Sequence, residues 1–225
     1  MNNQIYERRL IKFAKGGKMK YIGHLDLLRV FQSAIRRAKL PVAYSMGFNP
    51  HQRLSFAMPL PVGMDSVCEY MEILFNKKDK EDSPVEIAAL DGQLPDGLRI
   101  LSTYEIPEKS PSSAGLVTAA DYRLTFPGVT KKHIQPLKNA PEIIVMKKTK
   151  RGEKETDIRP DILALEFDPV GAVMMCLSAG SARNLSPVLV AKKIYPDINE
   201  VLITRQEMYG NAGGRLVPLH EAIIN

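Results

Sequence analysis

Hydrophobic and polar residues alternate along several short stretches of the chain, as they do in half-buried β-strands. The alternation is clearest over residues 7–14 and 66–75, and a third run spans 98–106. Residues 53–60 form a shorter run between the first two. Proline, glycine and asparagine separate these runs, and such residues mark turns. We therefore predict four strands within residues 7–106.

A different period, of three to four residues, marks residues 25–38 and predicts a helix. Its apolar positions form one stripe: Leu27, Leu28, Phe31, Ala34, Ile35 and Ala38. The opposite face carries Arg29, Ser33, Arg36 and Arg37. Pro41 ends the helix, because proline lacks a backbone donor and disfavours helical geometry in the preceding residue. One helix face should thus be core and the other cationic.

A capping-box pattern at 83–86 predicts a short second helix through Leu90. The order over residues 7–106 is then βαββαβ, the ferredoxin-like arrangement. After a linker at 109–115, a similar order repeats with an inserted hairpin at 142–158. We predict an α+β fold of two ferredoxin-like halves with antiparallel sheets. Residues 1–108 would form a basic domain, and 109–225 a second domain ending in an irregular tail from 210.

Composition limits the class of protein. Of 225 residues, 44% are apolar, enough to support a core. The two cysteines, Cys68 and Cys176, lie in apolar strand-like runs and lack the spacing of a zinc site, which favours buried, reduced thiols. The N-terminus has no signal-peptide core, and no apolar run reaches the roughly 18 residues of a membrane helix. We expect a cytoplasmic protein without a membrane partner.

Charge is unevenly distributed. The net charge is +6, yet residues 1–60 contain eleven Lys and Arg against two acidic residues, Glu7 and Asp26. Clustered cations attract polyanions, so the N-terminal half is a candidate nucleic-acid surface. A solvated basic face without function is the alternative interpretation.

Two segments, 20–28 and 43–55, concentrate histidine, aspartate, tyrosine, serine and arginine side chains. The chain also carries a distinctive set of motifs: Lys15-Gly-Gly-Lys18, Tyr21-Ile-Gly-His-Leu-Asp-Leu27, Arg36-Arg-Ala-Lys-Leu-Pro-Val-Ala-Tyr-Ser45, Gly47-Phe-Asn-Pro-His51 and Leu54-Ser-Phe-Ala-Met-Pro-Leu-Pro-Val-Gly63. With these motifs the chain resembles the bacterial radical SAM-linked family, found beside or fused to radical S-adenosylmethionine enzymes. The resemblance is dense over residues 8–75 and looser beyond.

The resemblance implies a partner protein. The chain has no Cys-x3-Cys-x2-Cys motif, so it would be the stand-alone companion of a radical SAM enzyme encoded nearby, with no cofactor of its own. The RNA-processing genes that accompany the family imply an RNA substrate, tRNA or rRNA. In element order and its basic helix alone, the chain also resembles tandem ferredoxin-like CRISPR repeat-processing endoribonucleases. The expected function is an RNA-binding accessory protein in RNA modification or processing.

Candidate RNA contacts fall into two chemical groups. Cations would bind phosphates, whereas Tyr44 and Phe48 offer flat faces for unpaired bases. The cations are Lys18, Lys20, Arg29, Arg36, Arg37 and Arg53. In the predicted fold the start of the first helix and the loop before the second strand can meet at one sheet edge.

Three other functions remain open. His24 and His51 could be the general acid and base of metal-independent RNA cleavage, with Tyr44 stabilising the developing charge. His24, Asp26 and His51 could instead bind a divalent metal ion. Asp26 has a structural explanation as well, since an aspartate near a helix N-terminus caps backbone donors. In the third alternative, the same residues form an interface that only docks a protein.

Overall fold

The computed structural model describes residues 5–77, 85–107, 109–149 and 152–224. The strands are β1 (Ile5–Lys15), β2 (Leu54–Phe56), β3 (Asp65–Lys77), β4 (Leu98–Ile106), β5 (Ala119–Thr125), β6 (Ile144–Thr149), β7 (Gly152–Asp157), β8 (Ile162–Phe167), β9 (Val173–Ser178), β10 (Leu202–Ala212) and β11 (Arg215–Pro218). The α-helices are α1 (His24–Arg37), α2 (Ala88–Asp91), α3 (Ser113–Leu116), α4 (Gln135–Asn139), α5 (Pro187–Ile194) and α6 (Leu219–Ile224). Short 3-10 helices span Gly17–Tyr21, Lys131–His133, Arg159–Asp161 and Ile198–Glu200.

Nine strands of the described chain form one sheet. Its order is β4-β1-β3-β10-β5-β9-β8, with β2 paired to β3 and β11 to β10. Neighbouring strands are antiparallel, except that β3 and β10 run parallel where Asp65 and Ser66 face Thr204 and Arg205. β6 and β7 form a separate antiparallel pair. The fold is therefore mixed α+β, with strands from both parts of the chain in one sheet.

The sheet contains the same strand order twice. In one part the order is β4-β1-β3-β2, and in the other it is β10-β5-β9-β8. In each part the first strand lies between the last and the third, which is the order of a βαββαβ unit. Because the short β3–β10 contact merges both parts into one sheet, the division into two ferredoxin-like halves stays a prediction.

Helix α1 confirms the amphipathic pattern read from the sequence. Leu27, Phe31, Ala34 and Ile35 are buried, while the arginines are exposed. Phe31 packs against Phe13 of β1 and Phe56 of β2, with ring centroids 4.9 and 5.8 Å apart. This contact is in the range favoured by aromatic pairs. It fixes α1 over one end of the sheet, beside β2.

Several element boundaries differ from the prediction. The strand predicted over 53–60 contains only β2. The capping box at 83–86 lies partly outside the described residues. No helix within the described ranges combines the length and the apolar character needed to cross a bilayer.

The predicted irregular tail is ordered from residue 210 to 224. β10 continues to Ala212 and pairs with β11, and α6 follows. Gly213 and Gly214 form the connecting turn with φ of 56° and 82°, the backbone geometry that a two-residue hairpin of this kind requires. Leu219 and Ile223 of α6 are buried. The expectation of an irregular tail was wrong, because the two glycines allow a tight turn that pairs β11 with β10.

Candidate nucleic-acid interface

The loop between Tyr44 and Gln52 is closed at its base by a short antiparallel contact. Tyr44 bridges Gln52, and the Ser45 N–H donates to the His51 carbonyl at 2.8 Å. The Ser45 hydroxyl oxygen also accepts from the His51 backbone N–H at 3.0 Å and lies 2.8 Å from Nδ1 of the His51 ring. The backbone and the Ser45 side chain thus hold the two ends of the loop together.

The loop tip projects apolar side chains into solvent. Met46 and Phe48 are fully exposed, and Tyr44 is 46% exposed. Single exposed apolar residues are common on protein surfaces. Two of them together at the tip of a closed loop form an apolar patch that does not contribute to the core. The sequence prediction that Phe48 and Tyr44 present accessible rings therefore agrees with their positions.

The loop base is joined to the C-terminal half of α1. The Gln52 side-chain amide donates to the Gln32 carbonyl and to the Tyr44 hydroxyl, both at 3.4 Å. Arg36 follows Gln32 by one helical turn, so it lies on the same side of α1 as this contact. The exposed Arg36 and the loop consequently border one surface, which we call the α1-loop surface and define by Arg36, Tyr44 and Phe48. Arg53, the residue after Gln52, lies on the opposite face of the strand.

The predicted cations differ in their surroundings. Arg29 forms an exposed ion pair with Asp26 at 2.9 Å, and Arg37 donates to the Gln93 carbonyl at 2.5 Å. Lys20 lies 3.7 Å from Asp65. The other predicted cations have no acidic partner among the described residues: Lys18 is exposed, Arg36 donates to the Ser33 hydroxyl, and Arg53 lies over the Tyr6 ring.

The net positive charge of residues 1–60 is larger than the positive charge available at the surface. Arg8, Arg9 and Lys12 of β1 pair with acidic side chains, and Lys15 is buried. In contrast, residues 27–64 contain five cations and no Asp or Glu. The positive field available to a ligand is therefore concentrated on α1 and the following loop.

A cavity of about 300 Å³ lies beside the loop and against β3. Its polar lining includes Arg8, Ser45, His51, Arg53 and Ser55. Glu72 also lines it, but its carboxylate pairs with Arg8 at 2.8 Å. The signature segment 43–55 thus forms much of a concave site.

His24 occupies a different part of the structure. It is the first residue of α1, is exposed, and places its ring edge-on to Phe56 with centroids 5.4 Å apart. Gln32, which contacts Gln52 next to His51, lies about 12 Å further along the helix axis. No hydrogen bond joins His24 to His51 in the described part of the chain. RNA cleavage by His24 and His51 acting as a pair stays a prediction.

The metal alternative finds no support in the geometry. Within the described ranges, no three His, Cys, Asp or Glu side chains are placed to hold a metal ion. Asp26 instead pairs with Arg29, three residues later on the same helix. Its position in the first turn of α1 is favourable for a carboxylate, but the N-cap residue is Gly23 and no side-chain capping bond is formed, so only the helix-dipole part of the structural explanation for Asp26 holds.

The sequence analysis missed a polar cluster on β1, β3, β10 and α6, which we call the Glu207 cluster. The Glu207 carboxylate accepts from the Lys12 ammonium at 2.5 Å and from the Cys68 thiol at 2.7 Å. The Tyr70 hydroxyl lies 3.2 Å from Glu207 and 3.0 Å from Nδ1 of His220. A chain of hydrogen bonds therefore connects a buried thiol to a histidine on the last helix.

Burial and hydrogen bonds shift the pKa values of this cluster in different directions. Burial alone would raise the pKa of Glu207, but hydrogen bonds from Cys68, Lys12 and the Met208 backbone outweigh it and lower the pKa. Burial lowers the pKa of His220, and the charge on Lys12 lowers it further. Burial raises the pKa of the Cys68 thiol. The cluster is thus built around an ionised carboxylate and a neutral imidazole.

Sequence patterns place members of the Glu207 cluster on strands but do not show that these residues are neighbours. Lys12 and Tyr70 occupy strand positions that alternate with apolar residues, and His220 follows the Gly-Gly turn. Only the pairing of β10 with β3 and the packing of α6 bring them together. His220 lies within residues 210–225, for which an irregular tail was predicted, so it was not expected beside these strands.

Comparisons with known proteins give the chain a family. One similar solved structure is the crystal structure of an unknown protein from Galdieria sulphuraria, with 13% identity, a TM-score of 0.27, and coverage of 89% of this chain and 98% of that one. No curated protein matches the chain. A family model described as an uncharacterized protein conserved in bacteria, DUF2344, matches residues 8–187. Because the match covers most of its length, the chain belongs to the bacterial DUF2344 family.

Proposed function

We propose that the α1-loop surface binds single-stranded RNA. The observation that carries this proposal is the exposure of Phe48 and Tyr44 on a closed loop beside Arg36, within a segment that contains no Asp or Glu and that also supplies Arg53 at the base of the loop. Unpaired bases stack on aromatic rings, and their phosphates interact with nearby cations. Double-stranded RNA hides its base faces, so the exposed rings favour a single strand.

Base stacking and phosphate contacts would both contribute to the binding free energy. Stacking of a base on Phe48 or Tyr44 contributes about 1–3 kcal/mol per base. Each phosphate neutralised by Arg36 or Arg53 releases counterions, so affinity falls as salt rises, with a slope of about −0.7 per contact for single strands. The surface would therefore show salt-dependent affinity with little preference between bases.

Fluorescence anisotropy with a labelled single-stranded RNA tests the ionic contacts. Arg36→Ala should weaken binding and reduce the salt slope by about 0.7, because one phosphate contact is lost. Lys192→Ala is the matched control, since this exposed lysine lies on α5, outside the α1-loop surface. Equal effects of the two variants would mean that charge alone, and not this surface, determines binding.

Phe48→Ala tests the stacking contact separately. Affinity should fall about 5- to 150-fold, the equivalent of 1–3 kcal/mol, while the salt slope stays unchanged because no charge is removed. Met46→Ala, at the same loop tip and equally exposed, should have a smaller effect, since methionine offers no aromatic face. If both variants bind like the unmodified protein, the loop takes no part in RNA binding.

We extend the proposal to a partner. The motif resemblance supports a role in which the protein presents RNA to a radical SAM enzyme encoded nearby, in RNA modification or processing. Affinity capture with the protein, repeated after nuclease treatment, distinguishes an RNA-bridged complex from direct contact. Recovery of no radical SAM enzyme under either condition would remove this part of the proposal and leave the RNA surface in place.

A further inference from the structure

The cavity beside His51 is lined by hydrogen-bond donors, including two arginines, together with Glu72 and three apolar residues. Its volume is about 300 Å³, at the small end of ligand pockets. Ser45, residues 51–55 and residues 72–74 line it, so both ends of the loop that carries Phe48 contribute to its wall. An RNA strand that is bound at the tip of this loop can therefore place its end in the cavity.

The charges inside the cavity are not balanced. The Arg8 guanidinium is engaged by Glu72 at 2.8 Å and by the Ser110 carbonyl at 2.6 Å. The Glu72 carboxylate additionally accepts from the Ser113 backbone N–H. This acidic group is thus neutralised by its own neighbours. Arg53 adds a positive charge without an acidic partner in the described part of the chain.

The Ser45 hydroxyl orients the His51 ring. Its oxygen accepts from the His51 backbone N–H at 3.0 Å, and we assign its hydrogen to Nδ1 of the ring at 2.8 Å. This assignment places the ring hydrogen of neutral His51 on Nε2, because the nitrogen that accepts carries none. The imidazole then presents a donor, as do Arg53 and the exposed Ser55 hydroxyl.

We infer that this cavity binds the terminal phosphomonoester of an RNA strand, an inference that rests on the proposed RNA-binding function. A terminal phosphate carries a charge of about −1.5 to −2 at pH 7 and three acceptor oxygens, which suit a pocket of donors with an unbalanced arginine. A bridging phosphodiester has two substituents and a single charge. It can bind along the exposed α1-loop surface without placing a chain end in a concave site.

The test compares three oligonucleotides of one sequence that carry a 5′-phosphate, a 3′-phosphate or hydroxyls at both ends. One phosphorylated form should bind about 10- to 100-fold more tightly than the hydroxyl form, the range expected for a hydrogen bond to a charged group. Whichever end gives the gain identifies the source of the phosphate. Arg53→Ala and Ser45→Ala should remove the gain, with folding checked by thermal unfolding.

Arg36→Ala is the matched control, because Arg36 does not line the cavity. It should weaken all three oligonucleotides equally and leave the gain from the phosphate unchanged. Equal binding of the three oligonucleotides to the unmodified protein would overturn the inference while leaving RNA binding intact. A gain that persists in both Arg53→Ala and Ser45→Ala would also overturn it. Failure of every oligonucleotide to bind would overturn the proposed function as well.

Discussion

Arg205→Met should destabilise the protein strongly, because Arg205 holds a buried ion pair at the seam of the sheet. Its guanidinium is fully buried, lies 2.9 Å from the Glu69 carboxylate and donates to the Met58 carbonyl at 2.8 Å. The seam itself is narrow, since β3 and β10 pair through only two positions on each strand. The side-chain contact therefore reinforces a short stretch of backbone pairing.

The magnitude follows from the charge left behind. Removing one partner of a buried ion pair costs about 3–5 kcal/mol, mainly because the remaining charge stays buried without compensation. Lys15 is also buried and its charge favours the ionised form of Glu69, so we expect the lower end, about 3 kcal/mol. Adding Glu69→Gln removes the stranded charge. The double variant should therefore be less destabilised than the sum of the single variants by about 2 kcal/mol.

Urea unfolding followed by far-ultraviolet circular dichroism measures these changes, since the chain contains no tryptophan. Arg99→Met, an exposed arginine on β4, is the control and should change the unfolding free energy by no more than about 0.5 kcal/mol. A loss below about 1 kcal/mol for Arg205→Met, or strict additivity in the double variant, would refute the reasoning. A single unfolding transition is expected if the seam couples both parts of the sheet.

Three further predictions concern His220, the two cysteines and the last hairpin turn. Because the pKa of His220 is lowered by burial and by Lys12, the unfolded chain takes up a proton near pH 6.5 before the folded one does. The unfolding free energy should fall as pH drops below about 6.5, and His220→Gln should reduce this fall in pH-dependent urea titrations. Cys68 should react with Ellman's reagent only on unfolding, and Cys176, whose pKa is raised to about 12 by burial, only slowly. Gly214→Val should cost about 1–2 kcal/mol in the same urea assay, because φ is +82° there; no loss would argue against this turn.

Local patterns in the sequence were sufficient for the elements that position the candidate site. The three- to four-residue period of α1 gave its buried stripe and its exposed arginines, and Pro41 gave its end. Alternation gave β1 and β3. Each of these features depends on residues close in sequence, so one element can be recognised without knowledge of the others.

The seam and the Glu207 cluster could not be predicted in the same way. Glu69 and Arg205 are separated by 136 residues, and each alone looks like an ordinary polar residue of a strand. The parallel contact of β3 with β10 covers too few residues to leave a pattern. It decides which side chains become neighbours, including Lys12, Cys68 and Glu207.

The partners of the cations, rather than their number, indicate which cations stabilise the fold and which are available to a ligand. Arg8, Arg9 and Lys12 belong to β1 and are neutralised by carboxylates from β1, β3, β4 or β10, so they stabilise the sheet. Arg36 and Arg53 lie in a segment without Asp or Glu, and neither forms an ion pair with a carboxylate among the described residues. A cation with a carboxylate partner gains little from a phosphate, because it must give up that partner. The second group is therefore where an RNA phosphate gains most, and the variants that test RNA binding belong there.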